Sequence, residues 1–91
     1  MLGENVKAIH NWMFYGVPIS TLTIPASINA IGKEAFGGNS RLTTITCKGS
    51  TPATLDSAPF PSSVTTIYVP AVAVGDYKYF WREYDDKITR W

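Results

Sequence analysis

The sequence predicts an α+β repeat fold: a short right-handed solenoid of parallel strands, closed by a C-terminal helical cap. Three observations carry this expectation. Apolar positions recur at a fixed interval, three Thr-rich segments share one alternating pattern, and the final residues place aromatics on one helical face. A sustained period of about 20–50 residues marks stacked supersecondary units that bury a face only against their neighbours.

The period appears first in Asn5-Val6-Lys7-Ala8-Ile9, which returns as Ser27-Ile28-Asn29-Ala30-Ile31. Val6 to Ile28, Ile9 to Ile31 and Phe14 to Phe36 are each 22 residues apart, and a further step of 24 reaches Pro52, Leu55 and Phe60. A second track runs beside it. Thr21-Leu22-Thr23-Ile24 recurs as Thr44-Ile45-Thr46-Cys47 at an offset of 23, then as Thr66-Ile67-Tyr68-Val69 at 22. Pro25 and Pro70 close the first and third copies, and Lys48 stands there in the second. Spacing holds within each track and changes only between tracks, so length differences fall in connecting loops.

The second track alternates polar and apolar residues, the period of a strand. Thr, Ile and Val also favour the pleated conformation. Strands are therefore expected near residues 20–24, 43–47 and 65–69. The returns between them are too long for hairpins, which makes the strands parallel. Parallel crossovers are right-handed as a rule. Leu22, Ile45 and Ile67 would stack inward as one row, and Ile24, Cys47 and Val69 as the next. Thr21, Thr44 and Thr66 would face outward, beside Thr23, Thr46 and Tyr68.

The run Leu22-Thr23-Ile24-Pro25-Ala26-Ser27-Ile28-Asn29-Ala30-Ile31-Gly32-Lys33-Glu34-Ala35-Phe36 resembles the BspA-like leucine-rich repeat of bacterial surface proteins. That repeat reads roughly L-T-I-P-x-S-V-x-x-I-G-x-x-A-F, then a loop, then L-T-x-V-T. Ser40-Arg41-Leu42-Thr43-Thr44-Ile45-Thr46 matches the latter part. The first copy, Leu2 to Ile9, matches but departs at His10-Asn11-Trp12-Met13-Phe14, where Gly and Ala are usual. The resemblance implies a short right-handed leucine-rich-repeat solenoid. It also implies a cell-surface or secreted protein that interacts with other proteins, with a cytoplasmic location as the alternative.

The tail extends the pattern. Val74, Tyr77, Trp81, Tyr84 and Ile88 are spaced 3, 4, 3 and 4, one face of an amphipathic helix. Asp76 near its start and Lys87 and Arg90 near its end suit the helix dipole. Such a face needs something to cover, and the end of a repeat array is the natural target. Residues 1–72 thus form about three coils, the first incomplete, and residues 73–91 a cap, within one structural domain.

Composition narrows the function classes. The chain has 91 residues, 45% hydrophobic and 16% charged, which suits one small globular domain with a thin core. A net charge of +1 leaves no electrostatic footprint for nucleic acid or anionic lipid. The apolar stretches are too short for membrane insertion. Met1-Leu2-Gly3-Glu4 lacks the basic and apolar regions of a signal peptide, so the chain reads as cytosolic or as a piece of a longer protein. With one cysteine, Cys47, and one histidine, His10, no internal disulfide, zinc site or cofactor is expected.

No catalytic constellation stands out. Cys47 falls in the inward ladder and His10 on the other track, so the two would not pair as nucleophile and base. Glu83, Asp85 and Asp86 beside Arg82 and Lys87 read as a solvated helix face, without the turn glycine and ligand spacing of a calcium loop. Gly37-Gly38-Asn39-Ser40 reads as a turn, since the Lys-Ser/Thr of a phosphate loop is missing. Trp81 is expected in the core, while Trp12 and Trp91 near the ends stay open between exposure and a partner contact.

The expected function is a non-catalytic protein-interaction or adhesion module. Its candidate binding face is Thr21, Thr23, Thr44, Thr46, Thr66 and Tyr68. The alternative is a capping fragment of a longer repeat protein with no site of its own. A second candidate surface is the edge of the first strand, flanked by Trp12 and Met13, where self-association around Leu22 would pair two N-terminal ends about a two-fold axis.

Overall fold

A computed structural model describes residues 6–38, 41–56 and 59–91. Leu2 and the Asn39-Ser40 half of the glycine turn lie outside the described residues. The strands, in chain order, are β1 (Ala8–Ile9), β2 (Thr21–Ile24), β3 (Ala30–Ile31), β4 (Thr44–Cys47), β5 (Thr54–Leu55) and β6 (Thr66–Val69), followed by helix α1 (Val74–Phe80) and strand β7 (Ile88–Arg90).

The strands form two parallel sheets that alternate along the chain. The long strands pair in the order β2-β4-β6-β7 and the short ones in the order β1-β3-β5. The register follows the repeat: Leu22 pairs with Ile45 and Ile45 with Ile67, while Thr21, Thr44 and Thr66 share a row. The three expected strands are thus present, parallel and in the expected phase. The short sheet was not foreseen as strand. It is built from the paired Ala8-Ile9, Ala30-Ile31 and Thr54-Leu55, two-residue bridges too brief to show alternation.

Alternation sets the core. Leu22, Ile24, Ile45, Cys47, Ile67 and Val69 are buried, as are Ile9 and Ile31 from the short sheet. Phe36 sits among them with rings on both sides, Phe14 at 5.2 Å and Phe60 at 6.1 Å between centroids. Burial of this apolar surface is the main stabilising term, at about 25 cal/mol per Å².

The turns repeat as faithfully as the strands. Trp12 and Glu34 both take positive φ (60° and 47°), as do Gly16 and Gly38 (75° and 67°). Each pair is 22 residues apart. Non-glycine residues adopt this region at a steric penalty, so its recurrence shows that the repeat imposes the turn. Backbone N–H groups of Trp12, Phe14 and Gly16 donate to the carbonyls of Lys33, Ala35 and Gly37 at 3.0, 2.8 and 2.9 Å. Gly32 is required by this contact: a Cβ there would run into the Asn11 backbone nitrogen and lie 2.7 Å from the His10 carbonyl carbon.

The C-terminal segment corrects one expectation. Val74, Tyr77, Trp81, Tyr84 and Ile88 all turn toward the core, buried or half-buried, but they do not share one helix. α1 stops at Phe80, because Trp81 leaves the helical region at φ −111° and ψ 48°. A 3-10 segment, Arg82–Lys87, follows. Ile88 then enters β7 opposite Ile67, adding a fourth long strand. Lys87 and Arg90 therefore lie beyond α1 and do not serve its dipole. Strand pairing over the exposed edge of β6 satisfies backbone groups that a continued helix would have left bare.

Candidate functional site

The outward face of the long sheet is a regular array. Its first row is Thr21, Thr44 and Thr66. Its second is Thr23, Thr46 and Tyr68, extended by Thr89 of β7 opposite Tyr68. Thr21 and Thr23 are exposed, and Thr44, Thr46, Thr66 and Tyr68 are half-buried among their neighbours. Strands in such a sheet stand about 4.8 Å apart. The six face residues named from sequence are therefore contiguous. Thr89 was missed because it lies in the segment read as helix.

Beside the face, Thr43 and Thr65 turn their hydroxyls onto the preceding repeat. Thr43 Oγ1 donates to Ser20 O at 3.4 Å and Thr65 Oγ1 to Thr43 O at 3.3 Å. Ser63 Oγ donates to Leu42 O at 2.6 Å. These bonds tie successive repeats and fix the height of the array.

The opposite, short-sheet side carries a shallow concavity of about 560 Å³. Its floor includes Ala8, Ala30, Gly32 and Thr54, with His10 and Asp56 at one margin. A second groove, about 680 Å³, runs between Gly37-Gly38 and the 3-10 segment, with Glu34, Glu83 and Lys87 along it. Neither gathers a catalytic set. Among the described residues no group of three or more His, Cys, Asp or Glu side chains could hold a metal ion.

Cys47 is buried, and burial pushes its thiol from 9.0 up to about 12, against a smaller opposing effect of its hydrogen bond with Tyr77. A thiol held protonated is a poor nucleophile. His10 is exposed on the other track. Tyr77 is likewise pushed above its ordinary value, chiefly by burial and then by Cys47. Tyr84 rises too, mainly by burial. Glu83, Asp85 and Asp86 are solvent-exposed, with Lys87 3.6 Å from Asp86.

Three C-terminal aromatics clasp the end of β4 and the loop after it. Tyr77 Oη donates to Gly49 O at 2.7 Å, Trp81 Nε1 to Ala53 O at 2.8 Å, and Trp91 Nε1 to Cys47 O at 3.1 Å. Lys48 Nζ lies 5.6 Å from the Trp91 ring centroid, a cation–π approach. Trp91 is thus anchored by its indole while 54% exposed. The sequence named the three aromatics but gave no sign of their carbonyl partners.

At the N-terminal end, Trp12 and Met13 are 47% and 49% exposed, and the Trp12 and Tyr15 rings meet at 4.9 Å. Leu22 differs from expectation. It is 2% exposed, pointing into the core, so its side chain is not part of any contact surface here. The alternation that places Thr21 and Thr23 outward necessarily turns Leu22 inward.

The parallel ladders, the shared turn and the outward threonine array define a repeat protein built from units of about 22 residues. The chain matches a model of the BspA type leucine rich repeat region (6 copies) over residues 1–82, and it belongs to that family. No curated protein matches it. Leucine-rich repeats of this kind typically serve protein interaction rather than catalysis, and the family is commonly surface-associated. No described helix is long and apolar enough to cross a membrane.

Proposed function

We propose that this chain is a non-catalytic protein-interaction module of a surface-type leucine-rich-repeat protein, coiled as a right-handed solenoid, and that it engages its partner through the outward face of the long sheet. One observation carries the reading: Thr21, Thr23, Thr44, Thr46, Thr66 and Tyr68 lie in register on three adjacent parallel strands. The strands hold the residues at fixed spacing, so an extended partner meets a preorganised surface and loses little entropy in ordering it. Tyr68 supplies the one aromatic anchor among them, the residue type enriched at binding hot spots. Adhesion at the cell surface is the setting that fits the family. Residues 73–91 act as the cap that closes the last repeat.

The test is biolayer interferometry of the chain against a panel of purified extracellular-matrix and bacterial surface proteins. The double variant Thr46→Glu/Tyr68→Ala serves as the comparison, since both side chains face outward and the fold should persist. Binding by the wild type and a tenfold or greater loss in the variant is the expected result. Equal binding by both would remove the face from the reading. No binding by either would favour a purely structural capping role.

A further inference from the structure

The C-terminal segment treats the two sheets differently. β7 pairs with β6 and so covers the last edge of the long sheet. The short sheet ends at β5, which has β3 on one side and no strand on the other among the described residues. The ladder fixes which backbone groups stand on that open side. Thr54 N–H donates to Asn29 O and Asp56 N–H to Ile31 O, each at 3.0 Å. Alternate residues of a parallel strand bond to opposite neighbours, so Ala53 O, Leu55 N–H and Leu55 O point away from β3. Ala53 O is already taken, since Trp81 Nε1 donates to it at 2.8 Å. Leu55 N–H and Leu55 O have no hydrogen-bond partner among the described residues.

An apolar recess of about 270 Å³ lies against this edge, lined by Thr51, Pro52, Ala53, Thr54, Leu55 and Phe80. Phe80 is the last residue of α1 and is 64% exposed. Its ring meets that of Tyr79, also exposed, edge to face at 5.0 Å. Tyr77 and Trp81 are both buried. α1 and the residue after it thus send one aromatic pair into the core and hold a second pair out of it, with Phe80 at the recess.

We infer that the β5 edge and its recess form a docking site, separate from the threonine face, for a short extended peptide segment of a partner protein that carries a large apolar residue. The segment's backbone pairs with Leu55 N–H and Leu55 O, and its apolar side chain enters the recess against Phe80. The occupant follows from the groups presented. One donor and one acceptor on a single strand residue match an extended chain, which offers a C=O and an N–H at strand spacing. A helix has bonded those groups internally and cannot supply them. An anion would meet only the N–H, and a cation only the C=O. The chain uses the same solution on the neighbouring sheet, where the extended β7 lies along β6 and buries Ile88. Trp81 ends the available edge at Ala53, so the site takes a short segment, and the apolar side chain carries its specificity.

The site does not depend on the threonine face, so Thr46→Glu/Tyr68→Ala should leave it intact. The probe is the blocked pentapeptide Lys-Ile-Thr-Ile-Lys, titrated to millimolar concentration into the full chain and followed by amide NMR. The Leu55 amide proton should move downfield and exchange about tenfold more slowly with solvent. The same peptide N-methylated at its three central residues has no backbone donor for Leu55 O, and it should bind about tenfold more weakly. Phe80→Ala should weaken the unmodified peptide by a similar factor while leaving the melting temperature nearly unchanged, since the ring is mostly outside the core. Equal binding of the two peptides, unchanged affinity in Phe80→Ala, or no response at Leu55 would overturn the inference. So would a free chain whose Leu55 amide is already protected, as a monomer or as a dimer paired through β5.

Discussion

The rings of Phe14 and Phe36 stack 5.2 Å apart and 6° from parallel, although the residues stand 22 positions apart in sequence. Phe60 continues the stack at 6.1 Å and itself meets Trp81 at 5.6 Å and Tyr84 at 5.4 Å. The column runs from the first turn to the C-terminal segment, and Phe36 is 1% exposed at its centre. Phe36→Ala should destabilise the chain by about 3–5 kcal/mol. Phe14→Ala should cost less, because Phe14 is only half-buried. Urea unfolding of the two variants gives the comparison, and equal midpoints would show that the column is not a shared core.

Gly32 lies where the first turn presses hardest on the second repeat. Asn11 Oδ1 accepts from the Lys33 N–H at 2.8 Å and holds that turn in place. Gly32→Ala would force the Asn11 backbone aside, at about 1–3 kcal/mol by comparison with overpacked cores. A chemical denaturation curve unchanged by this substitution would mean that the turn yields freely.

Trp81 is 2% exposed and its indole N–H satisfies the Ala53 carbonyl. Trp81→Phe keeps most of the apolar contact with Phe60 and Tyr77 while leaving that carbonyl without its donor. The expected loss is about 1–3 kcal/mol. Faster amide exchange in the loop 48–53, measured alongside the melt, would locate the damage at this bond.

Deleting residues 74–91 removes α1, the 3-10 segment and β7 together. The edge of β6 is then bare, and Phe60 loses Trp81 and Tyr84. Exposed strand edges template association. The truncated chain should be insoluble or fail to melt cooperatively, and a soluble, cooperative product in a thermal scan would refute the cap.

Alkali should unfold the chain through its buried thiol. Cys47 is raised from 9.0 to about 12, so the folded state keeps a proton that the unfolded state has released. Stability is complete below about pH 9 and falls as pH rises through about 12. Tyr77 and Tyr84, also shifted upward, act with the same sign. The melting-temperature gap between wild type and Cys47→Ala should narrow as pH rises above about 9. A gap independent of pH would assign the alkaline transition to the tyrosines alone.

The long strands were legible because alternation over four residues is a strong local signal and was written three times. The inward phase of Cys47, the outward phase of Tyr68 and the Phe14–Phe36–Phe60 column all followed from register. The end of α1 was not legible. Trp81 continues the helical spacing in sequence, and only its position over Ala53 and the open edge of β6 turns the chain out of the helix. Leu22 was misassigned to a contact surface although its own strand phase placed it inside.

The ladders described above join neighbouring repeats only: β1 meets β3 but not β5, and β2 meets β4 but not β6. Repeat one and repeat three thus hold together through repeat two, as links in a chain do. Opening should proceed from an end inward, with exchange fastest in β1 and β2 and slowest around Ile45 and Phe36, since the other end carries the aromatic clasp. A partner laid across Thr21, Thr44 and Thr66 would grip all three links at once. Its arrival would be felt most where fraying is greatest, at the first repeat, so occupancy of the face would register as quieting of the end farthest from β7.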